Sequence, residues 1–254
     1  MESHRIIALW CHPRSMSTAV ERIMRERGDF SCFHEPFMYY YYVHLGAREM
    51  PHFDVDATKP TDFDGIVAYL SEAARSAPVF FKDMSYYVVP ALFERVDLAS
   101  RMTHVFLIRD PRKAILSYHK LDPGMQLDEI GLEAQWRQVE WLRKQTRETP
   151  IVVEAEAIQK DPQGVLGRLW QSLDLPFTAH AFEWQTERAP EDWQQVAAWH
   201  ESTARRRRIE TGPVEDDATI QAQFDETSRD APHLREYFHH HWSFYEKLKR
   251  ITTR

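Results

Sequence analysis

Five short apolar runs, separated by longer segments of helical periodicity, constrain the fold of this 254-residue chain more than any other feature. Short apolar runs between polar segments predict buried β-strands, and apolar residues spaced three and four apart predict helices. Strands that alternate with helices are typical of a parallel sheet that carries helices on both faces. The predicted strands are residues 5–10, 30–33, 79–81, 104–108 and 151–153.

The predicted helices complete a three-layer α/β architecture around this central parallel sheet. They cover residues 18–27, 63–77, 91–97, 111–119, 127–149, 163–173 and 234–248. No internal repeat and no low-complexity linker interrupts the pattern, so we expect one domain over residues 1–254. We expect its core over about residues 5–176 and a helical extension over about 177–254. Ligands of such sheets bind beyond the carboxyl ends of the strands, so residues that follow a strand are candidates for the functional site.

The loop after the first predicted strand has the composition of an anion-binding site. It consists of Pro13, Arg14, Ser15, Met16, Ser17 and Thr18 and leads into the first predicted helix. The first turn of a helix leaves backbone N–H groups unpaired, and together with the helix dipole they attract an anion, above all a phosphate. Arg14 adds a positive charge, and three hydroxyl groups add further donors. The alternative is an ordinary connection in which Ser17 only caps the helix.

Three known phosphate-binding loops do not match this segment. No glycine occurs between Met1 and Arg27, which excludes both the G-x-x-x-x-G-K-[ST] loop and the G-x-G-x-x-G dinucleotide fingerprint. A thiol phosphatase would combine Cys11 with an arginine six residues later, but that position is Ser17. The loop therefore needs a different explanation.

The segment after the fourth predicted strand offers a second phosphate site. It begins with Arg109, Asp110, Pro111 and Arg112, and Pro111 suits the first turn of the helix that follows. Ser117 lies on that helix, eight residues after Arg109. A guanidinium at a strand end and a hydroxyl on the next helix can hold one phosphate from two sides.

These two motifs, in this order and each after a predicted strand, resemble those of the sulfotransferase family that uses 3′-phosphoadenosine 5′-phosphosulfate (PAPS). The resemblance covers about residues 5–176 and implies a P-loop nucleotide-kinase-like fold. It implies that the loop from Pro13 to Thr18 binds the 5′-phosphosulfate and that Arg109 and Ser117 bind the 3′-phosphate. The loop departs from the family at Met16, where glycine is usual.

Sulfuryl transfer to an alcohol needs a base for the acceptor proton and positive charge near the bond that breaks. The soluble arylsulfotransferase branch of the family has a Lys-Thr-His triplet after the third strand, whereas this chain has Lys82 and Asp83 there and lacks the histidine. The resemblance to other branches, which carry a carboxylate after the second strand, makes Glu35 the first candidate for the base. His34 and Asp83 are the alternatives, and a structural ion pair is the alternative role for Glu35. Lys82 and Arg14 would supply the positive charge.

The resemblance also implies a small-molecule alcohol as acceptor and no metal. The aromatic stretch from Phe37 to Tyr42 favours an apolar or aromatic alcohol, unless these rings only fill a second small core. The net charge of −7 argues against nucleic acid as a partner. No apolar run approaches the roughly 20 residues that span a bilayer, which argues against a membrane as a partner.

Cysteine content and the N-terminus predict a cytoplasmic protein. Cys11 and Cys32, the two cysteines of the chain, indicate reduced thiols rather than a disulfide framework. The N-terminal residues Met1 and Glu2 do not begin a secretion signal. The sequence leaves the acceptor and the oligomeric state open.

The C-terminal third holds a dense positive patch whose role stays open between nucleotide binding and a solvated surface. The patch consists of Arg205, Arg206, Arg207 and Arg208. Three consecutive histidines at 239–241 point in different directions on a helix, which argues against a metal site. Two other functions remain: an ATP-dependent kinase on the same fold, which the missing Gly-Lys loop disfavours, and a non-catalytic protein that binds 3′,5′-ADP.

Overall fold

The sheet predicted from the apolar runs is present, and all its strands are parallel. The computed structural model describes residues 4–89, 91–184, 189–212 and 215–252. Met1 and Glu2, on which the expectation about a secretion signal rests, lie outside the described residues. The strands are β1 (Ile6–Cys11), β2 (Ser31–His34), β3 (Val79–Met84), β4 (Thr103–Ile108) and β5 (Ile151–Glu154). They lie in the order β2-β3-β1-β4-β5, and each neighbouring pair is parallel. The predicted α/β class is confirmed.

Helices flank the sheet and make up much of the remaining chain. The α-helices are α1 (Ser17–Glu26), α2 (Phe63–Ala73), α3 (Ser85–Val88), α4 (Ala91–Glu94), α5 (Val96–Arg101), α6 (Pro111–His119), α7 (Leu132–Thr146), α8 (Ala155–Lys160), α9 (Pro162–Ser172), α10 (Ala197–Ala204), α11 (Asp217–Asp230) and α12 (His233–Arg250). Short 3₁₀-helices occur at Leu127–Ile130, Ala179–Phe182 and Glu191–Val196, and a π-helix at Tyr39–His44.

Both faces of β1 are covered, which explains why its sequence is continuously apolar rather than alternating. All six residues of the strand are buried. Ile7 and Leu9 face α1 and α9, whereas Trp10 on the opposite face packs against Phe37 and Phe81. Because successive side chains of a strand point to opposite faces, one short segment supports two layers of the core.

Three predicted segments differ from the structure. The predicted helix 127–149 consists of a 3₁₀-helix and α7, separated by Gly131 with a φ of 79°. Glycine adopts this left-handed conformation without a steric cost, so Gly131 encodes the break. The predicted helix 91–97 is divided into α4 and α5 at Arg95, and the stretch after Phe37, predicted to be irregular, contains the π-helix.

Capping residues set where the helices near the carboxyl edge of the sheet begin. Asp110 accepts a hydrogen bond from a backbone N–H in the first turn of α6 at 2.9 Å, and Pro111 occupies that turn as predicted. Asp161 and Pro162 have the same roles in α9. In contrast, the N-cap residue of α1 is Met16, and no side chain caps this helix. The start of α1 is therefore left without the usual side-chain acceptor.

The C-terminal third packs back onto the core. Helix α12 covers the predicted helix 234–248 and lies against α6, α7, β4 and β5, while α10 lies against α1. His240 binds Glu133, and the neighbouring His241 binds the carbonyl of Leu127, so these histidines point in different directions. None of the helices within the described ranges is long and apolar enough to cross a membrane.

The packing around Gly131 generates a first prediction. A Cβ atom at Gly131 would lie 3.1 Å from the Cβ of His12 and 3.2 Å from Tyr86 Cδ1. Gly46 also has a positive φ, but nothing lies within 4 Å of its Cβ position. Because the first site combines backbone strain with crowding, we expect Gly131→Ala to lower the free energy of unfolding by about 1–3 kcal/mol more than Gly46→Ala. Urea denaturation measures both, and equal losses would contradict the tight contact at Gly131.

Candidate active site

A cavity of about 330 Å³ opens at the carboxyl edge of the sheet. Arg14, Glu35, Lys82 and Arg109 line it, so four of the candidate residues, each from a different strand or the loop after it, meet in one place. The other predicted residues on its wall are Pro13, Met16, Ser17 and Thr18. This is the position that a parallel α/β sheet offers to a ligand.

The loop after β1 presents strained backbone and free donors. Arg14 and Met16 have φ values of 62° and 70°, a conformation that costs non-glycine residues about 1–2 kcal/mol each. Within the described ranges, no group accepts a hydrogen bond from the backbone N–H of Ser17 or Thr18. Unpaired N–H groups at a helix start, held by a strained loop, are typical of an anion-binding loop.

Arg14 joins the two predicted phosphate motifs. Its Nε donates to Ser117 Oγ at 2.9 Å, and its backbone carbonyl accepts a hydrogen bond from Arg109 Nη1 at 2.7 Å. Its Nη1 donates to the carbonyl of Trp199 at 2.7 Å. The structure thus brings Arg14, Arg109 and Ser117 together, although Ser117 contacts Arg14 rather than the cavity.

This corner of the cavity holds positive charge with little compensation. Arg14 has no ion pair within the part of the chain that the structure describes, and Arg109 Nε lies 3.9 Å from the nearest oxygen of Glu156. Burial, and then the charge of Arg109, lowers the pKa of Arg14; burial also lowers the pKa of Arg109, against the opposing effect of Glu156. Two desolvated guanidinium groups side by side favour a multiply charged anion between them.

His12 supports the same corner, although the sequence analysis did not select it. Its Nε2 accepts a hydrogen bond from the backbone N–H of Arg109 at 3.0 Å, and its carbonyl accepts one from Ser15 Oγ at 2.7 Å. Burial and the charge of Arg109 lower the pKa of His12 to about 3, so the ring is neutral at pH 7. The Ser15 hydroxyl is therefore used inside the loop, and Ser15 does not line the cavity.

Glu35 and Lys82 form a buried ion pair on the cavity wall. The backbone N–H of Glu35 donates to the carbonyl of Lys82 at 2.9 Å, and Tyr87 OH donates to Glu35 Oε2 at 3.3 Å. Burial acts to raise the pKa of Glu35, but the charge of Lys82 and its hydrogen bond are the main causes that leave this pKa below its ordinary value. Glu35 is therefore ionised at pH 7 and is the one candidate base that lines the cavity.

The two alternative bases lie outside the cavity wall. The carboxylate of Asp83 accepts hydrogen bonds from the backbone N–H groups of Phe37 at 2.7 Å and Met84 at 3.0 Å. Burial and the charge of Glu35 raise the pKa of Asp83 well above its ordinary value. This geometry favours a structural role for Asp83, because it ties the turn after β2 to the end of β3. The ring of His34 is buried next to Glu35, with Nε2 3.7 Å from Glu35 Oε1.

Tyrosine rings form another part of the cavity wall. These rings belong to Tyr42, Tyr86, Tyr87 and Tyr118. Arg48 lies beside Tyr42, but it binds Glu129 at 2.7 Å and Asp122 at 2.5 Å, which neutralise its charge. Of the aromatic run predicted to contact an acceptor, Tyr42 does reach the cavity, whereas Phe37 is part of the core.

Helix α10 contributes four wall residues that the sequence analysis did not connect with the site: Trp199, His200, Ser202 and Thr203. His200 Nδ1 lies 3.1 Å from Thr18 Oγ1, and its Nε2 is buried with no hydrogen-bond partner among the described residues. Burial is the main cause that lowers the pKa of His200 well below its ordinary value. No local pattern marks this histidine, because its role depends on packing between segments about 180 residues apart.

The run of four arginines is divided between the cavity and solvent. Arg206 and Arg208 line the cavity. Arg205 pairs with Glu201, and Arg206 lies 3.6 Å from Glu210. No ion pair to Arg208 occurs in the described segments, so Arg208 is the member of the run with charge available to a ligand.

One group of side chains has the composition of a metal site. The ligand atoms of His34, Glu35 and His200 all lie within 4.8 Å of one another, and no other such group occurs in the portion that the structure describes. The ammonium group of Lys82 is already bound to Glu35, and its charge would repel a cation. The residues fit an ion pair better than a metal site, and the metal-free reaction stays a prediction.

Comparison with known proteins identifies the family. Residues 4–225 match the model of the sulfotransferase domain. The chain belongs to the sulfotransferase domain family. Membership supports sulfuryl transfer as the type of reaction and confirms the predicted family.

The fold and two plant relatives add to this result. The structure is similar to the sulfotransferase domain from the curacin biosynthetic pathway, with a TM-score of 0.56 and 16% identity over 89% of this chain and 99% of that one. This likeness confirms the P-loop-like sulfotransferase fold. Branched-chain-amino-acid aminotransferase-like proteins 2 and 1 of Arabidopsis thaliana are 26% and 27% identical over 78% and 80% of this chain. The aligned region spans 35% and 36% of those two proteins.

The buried ion pair generates a prediction on stability. Lys82→Met leaves the carboxylate of Glu35 buried without a partner, and we expect it to lower the free energy of unfolding by about 3–5 kcal/mol. Glu35→Gln leaves the ammonium of Lys82 unpaired and should also destabilise the protein. Because the double variant buries no unpaired charge, it should lose clearly less than the sum of the two single variants, as measured by urea denaturation. Additive losses would show that the two groups do not interact.

The pKa of Glu21 in α1 generates a prediction on pH. Burial acts to raise this pKa, but the interaction with His34 and the charge of Arg25 lower it from 4.5 to about 2. A folded-state pKa below the unfolded value means that the ionised carboxylate stabilises the fold above about pH 4.5 and that this contribution is lost as the pH falls through about 2. The stability difference between wild type and Glu21→Gln should therefore shrink between pH 5 and pH 2 in urea denaturation. Glu72→Gln, at an exposed position, is the control, and a difference for Glu21→Gln that does not change with pH would contradict the prediction.

Proposed function

We propose that the protein transfers the sulfuryl group of PAPS to the hydroxyl group of a small-molecule acceptor and releases 3′,5′-ADP (PAP). The observation that carries this proposal is the pair of guanidinium groups of Arg14 and Arg109, which lack a close carboxylate and lie in the same cavity as Glu35. A donor with phosphate groups at both its 3′ and 5′ positions supplies the negative charge that this corner lacks.

The donor would contact the loop after β1 and the start of α6. The 5′-phosphosulfate would accept hydrogen bonds from the free N–H groups of Ser17 and Thr18 and from Arg14. The 3′-phosphate would bind Arg109 and Ser117. Because Arg14 Nε is bound to Ser117 Oγ in the structure, binding would replace this contact with contacts to the donor.

The transfer would proceed in line at sulfur. The acceptor oxygen forms a bond to sulfur while the bond from sulfur to the bridging phosphate oxygen breaks and its electron pair leaves with PAP. Glu35 takes the acceptor proton, and Lys82 and Arg14 stabilise the negative charge that develops on the leaving oxygen. No step requires a metal.

The tyrosine-lined part of the cavity wall supports an apolar or aromatic alcohol as acceptor. Its nearby cation, Arg48, is neutralised by two carboxylates, so an acidic acceptor would find no free positive charge there. Cys11 and Cys32 are both free, which supports a cytoplasmic location. Neither nucleic acid nor a membrane is part of the proposal.

A second candidate function is a non-catalytic PAP-binding protein. The ion pair with Lys82 keeps the pKa of Glu35 low, which makes its carboxylate a weak base. Turnover of PAPS on a panel of alcohols and phenols separates the two candidates. Product formation supports the transferase, and tight PAP binding without product on any acceptor supports the second candidate.

Donor binding generates a prediction that calorimetry tests without magnesium. We expect the wild type to bind PAP more tightly than 5′-AMP or ATP, because PAP alone carries the 3′-phosphate. Arg109→Ala should weaken PAP binding by about 2–3 kcal/mol, since one charge-assisted contact is lost, and should leave 5′-AMP binding nearly unchanged.

Arg101→Ala is the matched control, because Arg101 is an exposed arginine of α5 that pairs with Asp97 away from the cavity. We expect it to bind PAP like the wild type. A preference for ATP would favour the hypothesis of an ATP-dependent kinase. If Arg109→Ala bound PAP as tightly as the wild type does, the assignment of the 3′-phosphate site would be contradicted.

A further inference from the structure

A buried row of three titratable side chains extends from the cavity wall into the core. It consists of Glu35, His34 and Glu21, and we call it the Glu21–His34–Glu35 row. His34 Nδ1 lies 2.6 Å from Glu21 Oε2, and His34 Nε2 lies 3.7 Å from Glu35 Oε1. Glu35 is on the cavity wall, whereas the other two side chains are fully buried behind it.

Neighbouring groups fix the orientation of the row. The carboxylate of Glu21 accepts hydrogen bonds from Arg25 at 2.8 Å and from Trp193 Nε1 at 2.9 Å. The ring of His34 lies between those of Trp193 and His200, with centroid distances of 5.8 and 4.5 Å. Its backbone N–H donates to Asp192 Oδ2 at 3.2 Å. The imidazole therefore has little freedom to rotate.

The contact with Glu21 determines which nitrogen of His34 carries the proton. Glu21 has a pKa of about 2, so its carboxylate is ionised and can only accept a hydrogen bond. Nδ1 must donate, so when the ring carries a single proton that proton is on Nδ1 and the free lone pair of Nε2 lies near Glu35. Among the described residues, Nε2 has no hydrogen-bond partner although it is buried. His34 Nε2 is therefore placed to accept a hydrogen bond from Glu35 once Glu35 has taken up a proton.

We propose that His34 holds the proton that Glu35 takes from the acceptor, and that Glu21 is the positioning residue that keeps His34 in the required tautomer. As the acceptor O–H bond breaks and its oxygen bonds to sulfur, the proton moves to Glu35. Glu35 then donates it to His34 Nε2, which becomes an imidazolium between two carboxylates. This inference rests on the proposed function.

The Glu21–His34–Glu35 row compensates for the weak basicity that the ion pair with Lys82 gives to Glu35. Lys82 stabilises the ionised form of Glu35, so Glu35 alone would retain a proton poorly. The lone pair of His34 gives that proton a second position, and the charge of Glu21 stabilises it there. The charged and titratable groups that face His34 are Glu21 and Arg25 from α1, Lys82 from β3, Asp192 from the 3₁₀-helix Glu191–Val196, His200 from α10, and Glu35.

Glu21→Gln tests which nitrogen of His34 carries the proton, and it hardly changes the shape of the side chain at position 21. An amide can donate to Nδ1, which moves the proton of the neutral ring to Nε2 and removes the lone pair near Glu35. We expect kcat with PAPS and an accepted alcohol to fall by about 10²- to 10⁴-fold, with the dissociation constant of PAP unchanged. Glu26→Gln is the matched control, because it makes the same change in α1 at a carboxylate that pairs with Arg22 outside the row. Its kcat should stay within about threefold of the wild type.

Long-range ¹H–¹⁵N correlation spectra of labelled protein measure the tautomer directly and need no activity. We expect the wild type in complex with PAP to have Nε2 of His34 unprotonated at pH 7, and Glu21→Gln to have it protonated. His34→Gln assigns the signals. If Glu21→Gln does not fold, the wild-type spectrum still decides, because a proton on Nε2 overturns the proposal whether or not Nδ1 is protonated as well.

The outcomes separate this inference from the proposed function. Equal turnover of Glu21→Gln and wild type, with PAP bound by both, overturns the role of the row alone. Equal losses in Glu21→Gln and Glu26→Gln also overturn it, since they would reflect the loss of any carboxylate in α1 rather than the tautomer. A wild type that does not bind PAP overturns the proposed function, and the role of the row with it.

Discussion

The ion pair between Lys82 and Glu35 is the constraint on which the arrangement of the site depends. Either charge alone would be costly to bury, so the two strands that carry them must stay aligned. The register of β2 on β3 pairs His34 with Lys82, which puts Glu35 one residue beyond the paired strand. There its backbone takes a φ of 43° and donates to the carbonyl of Lys82. The pair therefore fixes the position of the candidate base relative to the sheet.

The opposite holds for the two guanidinium groups of the cavity, because Arg14 has no ion pair among the described residues and Arg109 has only the 3.9 Å contact with Glu156. Arg14 and Arg109 are partly desolvated and lie next to each other, and Met16 adds a strained backbone to the same loop. These features destabilise the protein without a ligand. A bound anion relieves the charge repulsion, so ligand binding and stability are linked, and a ligand that binds the folded state alone raises the free energy of unfolding. The same residues thus oppose folding and favour binding.

The sequence predicted the sheet well because each strand is a local apolar run with polar ends. It also predicted the loop after β1 and the segment that starts at Arg109, because their signals lie in a few consecutive residues beside a strand. The breaks in the helices were harder to predict. A single glycine such as Gly131 lowers helix stability by only about 1 kcal/mol, so whether the helix ends there depends on the surrounding packing. His12, Glu21 and His200 had no local signal. Their roles depend on partners far along the chain, such as Thr18 for His200, and these contacts exist only once the chain is folded.

The groups on the cavity wall fall into three electrostatic classes. Arg14 and Arg109 carry positive charge with little compensation, Glu35 and Lys82 form an ion pair, and four tyrosine rings are uncharged. His200 links the ion pair to the loop after β1, because its ring is close to Glu35 and its Nδ1 is 3.1 Å from Thr18 Oγ1. Under the proposed function, the anionic donor would be attracted to the guanidinium groups and a neutral alcohol would pack against the tyrosine rings. The reacting atoms would then meet beside Glu35, whose lowered pKa keeps the carboxylate ionised at pH 7. The charge on the wall thus distinguishes the two substrates, because only the donor carries the charge that the guanidinium groups attract.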